Sequence, residues 1–429
     1  MEQELQQIKV NRAVLVGLCS PGLSREENAD DESLEELRSL LETAGGVCLG
    51  TVLQRKDNPD PRTFIGEGKT AEVRELIHDL GADLAVFDNP LSPSQQRALS
   101  EELGVSVLDR AGLILDIFAQ RARTAEGRLQ VSLAQYKYLL PRLTGMWTHL
   151  ERQEGAIGTR GPGETQLESD RRHIHRKIAK LEEELKEVRR VRATQRLQRE
   201  KNELPVIAIV GYTNAGKSTL LNKLTGADIP ANDRLFDTLD TTTRTLEVSD
   251  TCTALISDTV GFIRKLPHQL VDAFKATLEE LEYANLLLHV IDASNPEWRE
   301  QAEVVDELIG ELGASGTPRI EVFNKCDKYY MDILPHGADA VAVSARTGEG
   351  LDKLLALIAR RLDSGEARYV LHLPYDKGGL LDKLHREAKV EQVDYSETID
   401  VTAVCTRRTA GQLKDYIEGW TEPKEPWET

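Results

Sequence analysis

The chain has 429 residues, 40% of them hydrophobic and 29% charged, the balance of a soluble globular protein of two to four domains. No apolar run is long enough to span a bilayer, and the opening MEQELQQIKV has no apolar leader core. The net charge of −18 excludes a wholly basic nucleic-acid coat, but a local basic surface survives, because fields are screened within about 8–10 Å in physiological salt.

Residues 12 to about 110 alternate in type. RAVLVGL is a short apolar run, followed by an acidic amphipathic stretch and GGVCLGTVLQ. GEGKTAEVRELIHDLG reads as a helix, ADLAVFD as a strand, PSQQRALSEELG as a helix and VSVLDR as a strand. This rhythm predicts a small parallel α/β domain. GEGK at 66–69 resembles part of a phosphate loop, but it lacks the Gly-x4-Gly-Lys spacing. A plain helix start fits it better.

From Ala111 to Leu143 the pattern is helical. The segment GMWTHLERQEGAIGTRGPGE, with five glycines and Pro162, breaks it. A long helix then spans Glu168 to Glu200, with Ile174, Ile178, Leu181, Leu185 and Val188 forming a 4-3-4-3 seam for one partner helix. Together these predict an antiparallel helical hairpin with a glycine-rich tip at about 145–165. Residues 171–201 carry twelve Lys or Arg against five acids. Arg152, Arg160, Gly161 and Gly163 at the tip are candidates for contact with a polyanion such as rRNA, since bare glycine backbone allows close approach.

After the buried-strand run LPVIAIV comes GYTNAGKST, residues 211–219. Gly211, Tyr212, Thr213, Asn214, Ala215, Gly216, Lys217 and Ser218 satisfy the Gly-x4-Gly-Lys-[Ser/Thr] loop that wraps phosphates with backbone N–H groups. Lys217 is expected on the β- and γ-phosphates, and the Ser218 hydroxyl on Mg2+. In LFDTLDTTTRT, residues Phe236, Asp237, Thr238, Leu239 and Asp240 are expected near the nucleotide. Thr238 is the preferred second metal ligand, with Thr241, Thr242 and Thr243 as rivals that spacing does not separate. In DTVGF, Asp258 is expected to hold the metal through water. Thr259 and Val260 follow, and the Gly261 N–H should meet the γ-phosphate. Asn324, Lys325, Cys326 and Asp327 supply the base site. Its carboxylate can accept guanine N1–H and N2–H, a donor pair adenine lacks. Ser344, Ala345 and Arg346 should meet guanine O6. GTP or GDP is therefore the expected nucleotide.

Many related switches carry a water-orienting glutamine after this glycine. Here the position is Phe262, so no catalytic side chain is assigned; Gln269 is a weak candidate. The tail from Arg368 to Tyr416 reads as strand, helix, strand, helix, a small α/β appendage with no catalytic constellation. The isolated histidines, His268 and His289 included, read as structural or surface residues. Five scattered cysteines (19, 48, 252, 326 and 405) show no zinc spacing and suit a reducing compartment.

DPRTFIGEGK, GTRGPGETQLESDRR, GYTNAGKSTL, TLDTTTR, DTVGFIRKLPHQLV and NKCD together make the chain resemble the HflX family of GTPases over most of its length. The fold class expected is α/β: a P-loop GTPase domain (204–364) preceded by a small α/β domain (1–110) and a long antiparallel helical hairpin (111–203), and followed by a small α/β C-terminal domain (365–429). The resemblance implies binding to the large ribosomal subunit. It also implies that the chain splits stalled or idle ribosomes under stress, with the hairpin tip near the peptidyl-transferase centre. Slow intrinsic GTP hydrolysis stimulated by that subunit is the expected activity. The competing expectation is a GTP-controlled binding module, or a switch acting on a protein partner or membrane, with turnover incidental. A monomer in the cytoplasm is expected, without stable membrane insertion, though a peripheral membrane fraction is allowed.

Overall fold

The computed structural model describes residues 11–24, 27–146, 162–201, 204–227, 235–236, 242–249, 252–266, 270, 281, 283–328, 337–362, 366–396 and 398–418. Strands β1 (Arg12–Cys19), β2 (Val47–Arg55), β3 (Leu84–Phe87) and β4 (Ser106–Asp109) form a parallel sheet in the order β2-β1-β3-β4. Parallel strands are covered on both faces, and their side chains alternate between the two. Ala13 and Leu15 face helices α1 (Asp31–Thr43) and α4 (Arg110–Arg121), through Leu37, Leu41, Ile114 and Phe118. Val14 and Val16 face α2 (Glu67–Leu80) and α3 (Pro93–Leu103), through Val73, Ile77 and Leu99. The helix bounds have local causes. Asp30 with Ser33, and Ser92 with Gln95, form reciprocal capping boxes, and Pro93 opens α3. Gly66 is the N-cap of α2, so GEGK is a helix start.

Helices α5 (Ala125–Met146) and α6 (Pro162–Lys201) pack along one seam. Leu129, Leu133, Tyr136 and Leu140 meet Ile174, Ile178, Leu181 and Leu185, the positions the 4-3-4-3 spacing selects. Lys137 pairs with Glu182 at 3.0 Å. The helices run further into the tip than the glycines suggested. Gly145 lies in the last turn of α5 and Gly163 in the first turn of α6, where Pro162 opens the helix because no N–H is needed there. Arg152, Arg160 and Gly161 lie outside the described residues.

The second sheet has the order β10-β9-β8-β5-β7-β6. It comprises β5 (Val206–Gly211), β6 (Thr242–Ser249), β7 (Cys252–Asp258), β8 (Leu286–Asp292), β9 (Arg319–Asn324) and β10 (Ala340–Ala342); only β6 pairs antiparallel. Ile207, Ile209, Leu286 and Leu288 face α7 (Lys217–Thr225) and α9 (Leu351–Leu362). Ala208, Val210 and Leu287 face α8 (Trp298–Glu311). That second face joins the α1 and α4 face of the first sheet in one apolar cluster, through Phe236, Phe262 and Ile263.

The C-terminal unit differs from the sequence reading. It is an antiparallel sheet of β11 (Glu366–Leu373), β13 (Ile399–Thr406) and β12 (Lys389–Tyr395), in the order β11-β13-β12, with α10 (Gly379–Glu387) and the short α11 (Arg407–Gln412). The reading of strand, helix, strand, helix lacks the strand KVEQVDY, residues 389–395. Its polar and apolar residues alternate over too few positions to stand out, and pairing with β13 decides it.

Candidate functional site

Strand β5 ends at Gly211 and α7 begins at Lys217, with the loop between them held by backbone geometry only glycine permits at two points. A Cβ on Gly211 would stand 2.3 Å from the Val290 carbonyl oxygen. One on Gly216, whose φ is 95°, would stand 2.3 Å from Asn324 Nδ2. Asn324 needs that approach: its amide donates to the Ala215 carbonyl at 2.8 Å and accepts from the Ala345 N–H at 2.9 Å. One side chain thus ties the phosphate loop to both base-site loops.

Lys217 is buried and donates to the carbonyls of Gly211 (3.1 Å) and Tyr212 (2.8 Å). Burial lowers its pKa to about 8, against the opposing pull of Asp258. Ser218 Oγ donates to Asp258 Oδ2 at 2.6 Å. A hydroxyl beside a carboxylate is a hard-oxygen donor set, so the residues present fit Mg2+. Thr259 turns away and donates to the Ile209 carbonyl at 2.7 Å. Gly261 lies tight over the loop: a Cβ there would stand 2.8 Å from Thr213 Cα and 3.0 Å from Lys217 Nζ. Val260 is buried beneath it.

Phe262 does not face the nucleotide side. Its ring is in the shared apolar cluster, and its backbone forms a parallel bridge to Tyr212. Phe236 N–H donates to Thr213 Oγ1 at 3.0 Å, and its ring meets Phe118 of α4 edge-on at 4.7 Å. Asp237, Thr238, Leu239, Asp240, Thr241 and Gln269 lie outside the described residues; Thr242 and Thr243 open β6, opposite Asp258 and Ser257.

At the base site, Ser344 Oγ donates to Asp327 Oδ1 at 2.7 Å, and Arg346 pairs with the other carboxylate oxygen. The Ser344 bond is the chief cause that holds Asp327 below the ordinary carboxylate pKa. Cys326 sits between Lys325 and Asp327, its thiol pKa raised mainly by burial. Lys325 pairs with Asp292 at the end of β8 at 2.7 Å. Sequence reading missed Asp292, although its place after an apolar strand was visible.

It also missed a buried polar cluster between the two sheets. Tyr212 OH donates to Glu36 Oε1 at 2.5 Å and accepts from the Arg264 N–H at 2.8 Å. Arg110 pairs with Glu36 and, at 2.8 Å, with Asp88 Oδ1. Lys265 pairs with Asp88 Oδ2. Burial alone would raise the Asp88 pKa, but Arg110 and Lys265 hold it below the ordinary value. No local pattern signals these partners, which lie up to 177 residues apart.

A Gly-Lys-Ser loop between strand and helix, a carboxylate strand end beside it and an Asn-Lys-Cys-Asp loop behind the glycine define a P-loop GTPase. Four family models match along the chain: "GTP-binding GTPase N-terminal" over 31–119, "GTP-binding GTPase Middle Region" over 121–199, "50S ribosome-binding GTPase" over 206–325 and "HflX C-terminal domain" over 334–422. The GTPase HflX of Caldanaerobacter subterraneus subsp. tengcongensis is 47% identical over 408 residues, 95% of this chain and 94% of that one. That of Alkalihalophilus pseudofirmus is 44% identical over 421 residues (97% and 99%), and that of Escherichia coli K12 is 44% identical over 373 residues (85% and 87%). A GTP-binding protein from Sulfolobus solfataricus, solved in complex with GDP, is 26% identical, with 82% of this chain and 99% of that one covered at a TM-score of 0.44. The chain belongs to the HflX family of GTPases.

Proposed function

We propose that this GTPase hydrolyses GTP slowly alone, is stimulated by the large ribosomal subunit, and serves as a stress-related ribosome-splitting factor. The observation that carries the reading is Phe262, which stands where a water-orienting glutamine is common and is 1% exposed within the apolar cluster. A site without that group is slow until a partner orders it. The family description of residues 206–325 as a "50S ribosome-binding GTPase" supports the choice of partner.

In this reading residues 211–218 wrap the phosphates, with Lys217 moving from the loop carbonyls to the β- and γ-phosphates. Ser218 and Thr238 would hold Mg2+, with Asp258 supporting it through water, and the bound ion would supply charge neutralisation at the phosphate oxygens. Residues 236–240 and 258–261 sense the γ-phosphate, the latter through the Gly261 N–H. Asn324, Lys325, Cys326 and Asp327, with Ser344, Ala345 and Arg346, hold guanine. The carboxylate of Asp327 is already oriented by Ser344, which supports a site that accepts two donors from the base. The arm of α5 and α6 carries its tip, with Arg152, Arg160, Gly161 and Gly163, into rRNA near the peptidyl-transferase centre. Its apolar seam is filled within the chain, which supports a monomer. Among the described residues no helix is long and apolar enough to cross a membrane, and we place the protein in the cytoplasm. The sheets of the two flanking units lie within the proposed divisions 1–110 and 365–429.

The test is GTP turnover by the purified protein, alone and with increasing amounts of isolated large subunits, with Lys217→Ala as the blank. A many-fold, saturable rise is expected. A low rate that subunits leave unchanged sinks the assignment of the partner.

A further inference from the structure

The first sheet reverses strand order between β1 and β3, and parallel α/β sheets take ligands outside the carboxyl ends of their strands at such a point. Here the residue just past β3 is Asp88, fully buried, and what it holds is Lys265, four residues beyond Gly261. The same carboxylate pairs with Arg110, the first residue of α4. The preceding residue, Asp109, caps α4 through the Gly112 N–H at 2.9 Å. Asp109 also accepts Tyr138 OH at 2.7 Å and Arg142 Nη2 at 3.0 Å, both in the later turns of α5, on the side of the tip. Polar contacts, joined through the adjacent residues Asp109 and Arg110, therefore lead from the segment over the phosphate loop to the tip-side turns of α5.

We infer that Asp88 is a positioning residue that couples the nucleotide to the arm: the pair it forms with Lys265 makes the segment 261–265 and the first sheet move together. This rests on the nucleotide-site reading above. Gly261 now lies against Thr213 and Lys217, so a γ-phosphate bonded to Lys217 and the Gly261 N–H must lift that segment. Lys265 is tethered four residues on. Separating a buried pair strands a charge, so the lift is passed to Asp88, to Arg110 and α4, and through Asp109 to Tyr138 and Arg142. The phenolic OH of Tyr212, shared between Glu36 and the Arg264 N–H, forms a second strand of the same linkage.

Amide hydrogen exchange of the full chain, with GDP and with a non-hydrolysable GTP analogue, tests this without any ribosome. Exchanging the nucleotides should change protection at residues 110–113 and 138–142 by at least about fivefold, the lower end of allosteric coupling. In Lys265→Met, which leaves the Asp88–Arg110 pair intact, the change at those residues should fall below about twofold, while amides of 212–218 still respond. Asp88→Asn should behave likewise, and Lys265→Arg should restore the response. A purely structural role would alter melting temperature and leave the nucleotide-dependent difference in place. Persistence of the difference in Lys265→Met overturns the inference, as does its absence in the wild type when 212–218 respond. If 212–218 do not respond either, the nucleotide-site reading has failed and this inference falls with it.

Discussion

The amide of Thr213 donates to the carbonyl of Phe262 at 2.7 Å, and the amide of Phe262 donates back to Gly211 at 3.1 Å. The residue that follows the switch glycine is thereby laced to the phosphate loop by its backbone, and its ring is left to pack. Phe262→Gln should give no gain in GTP turnover, because the position faces the apolar cluster, where the amide would also be buried without partners. Phe262→Ala should lose about 3–5 kcal/mol of stability. Turnover assays and denaturant unfolding check the two variants; a faster Phe262→Gln enzyme would contradict the placement.

Gly216→Ala should weaken GTP and GDP alike by at least about tenfold, since the new methyl meets Asn324 Nδ2 at 2.3 Å and the left-handed φ of 95° strains any Cβ. Titration with a fluescent-labelled nucleotide reads the effect on both forms. Loss confined to GTP would mean that the contact with Asn324 is not what the glycine protects.

Asp292 holds the Lys325 ammonium at 2.7 Å. Asp292→Asn should raise the KM for GTP by about threefold to tenfold with kcat unchanged, the lower end reflecting the partial exposure of Lys325. GDP affinity should fall in the same proportion, because the base and ribose are common to both nucleotides. A fall in kcat without a change in KM would assign Asp292 elsewhere.

His289 is buried on β8, 3.7 Å from Asp306. Burial, with Arg319 and Lys217 adding to it against Asp306, lowers its pKa from 6.5 to about 4. The folded state therefore prefers the neutral ring, while the unfolded chain takes up a proton below about 6.5. Stability from this residue is complete above that value and is lost as pH falls toward 4, to the extent of about 3 kcal/mol. Unfolding free energies from pH 7 to 4 should slope less in His289→Gln; equal slopes would refute the assignment.

The sequence by itself determined the phosphate loop, the guanine loop, the seam of the long helix and the alternation of the first sheet. Each is a local pattern whose residues act within a few positions of one another, so spacing alone carries the geometry: Gly216 beside Lys217, or Ile174 with Ile178 and Leu181 on one helix face. It also showed that Phe262 lacks the chemistry of a glutamine. Only the tertiary structure decided where that ring goes, that Asp292 meets Lys325, that KVEQVDY is a strand, and that Asp88 meets Lys265. These depend on how strands pair and how two sheets dock. A buried carboxylate needs cations brought to it, and those of Asp88 come from 22 and 177 residues away.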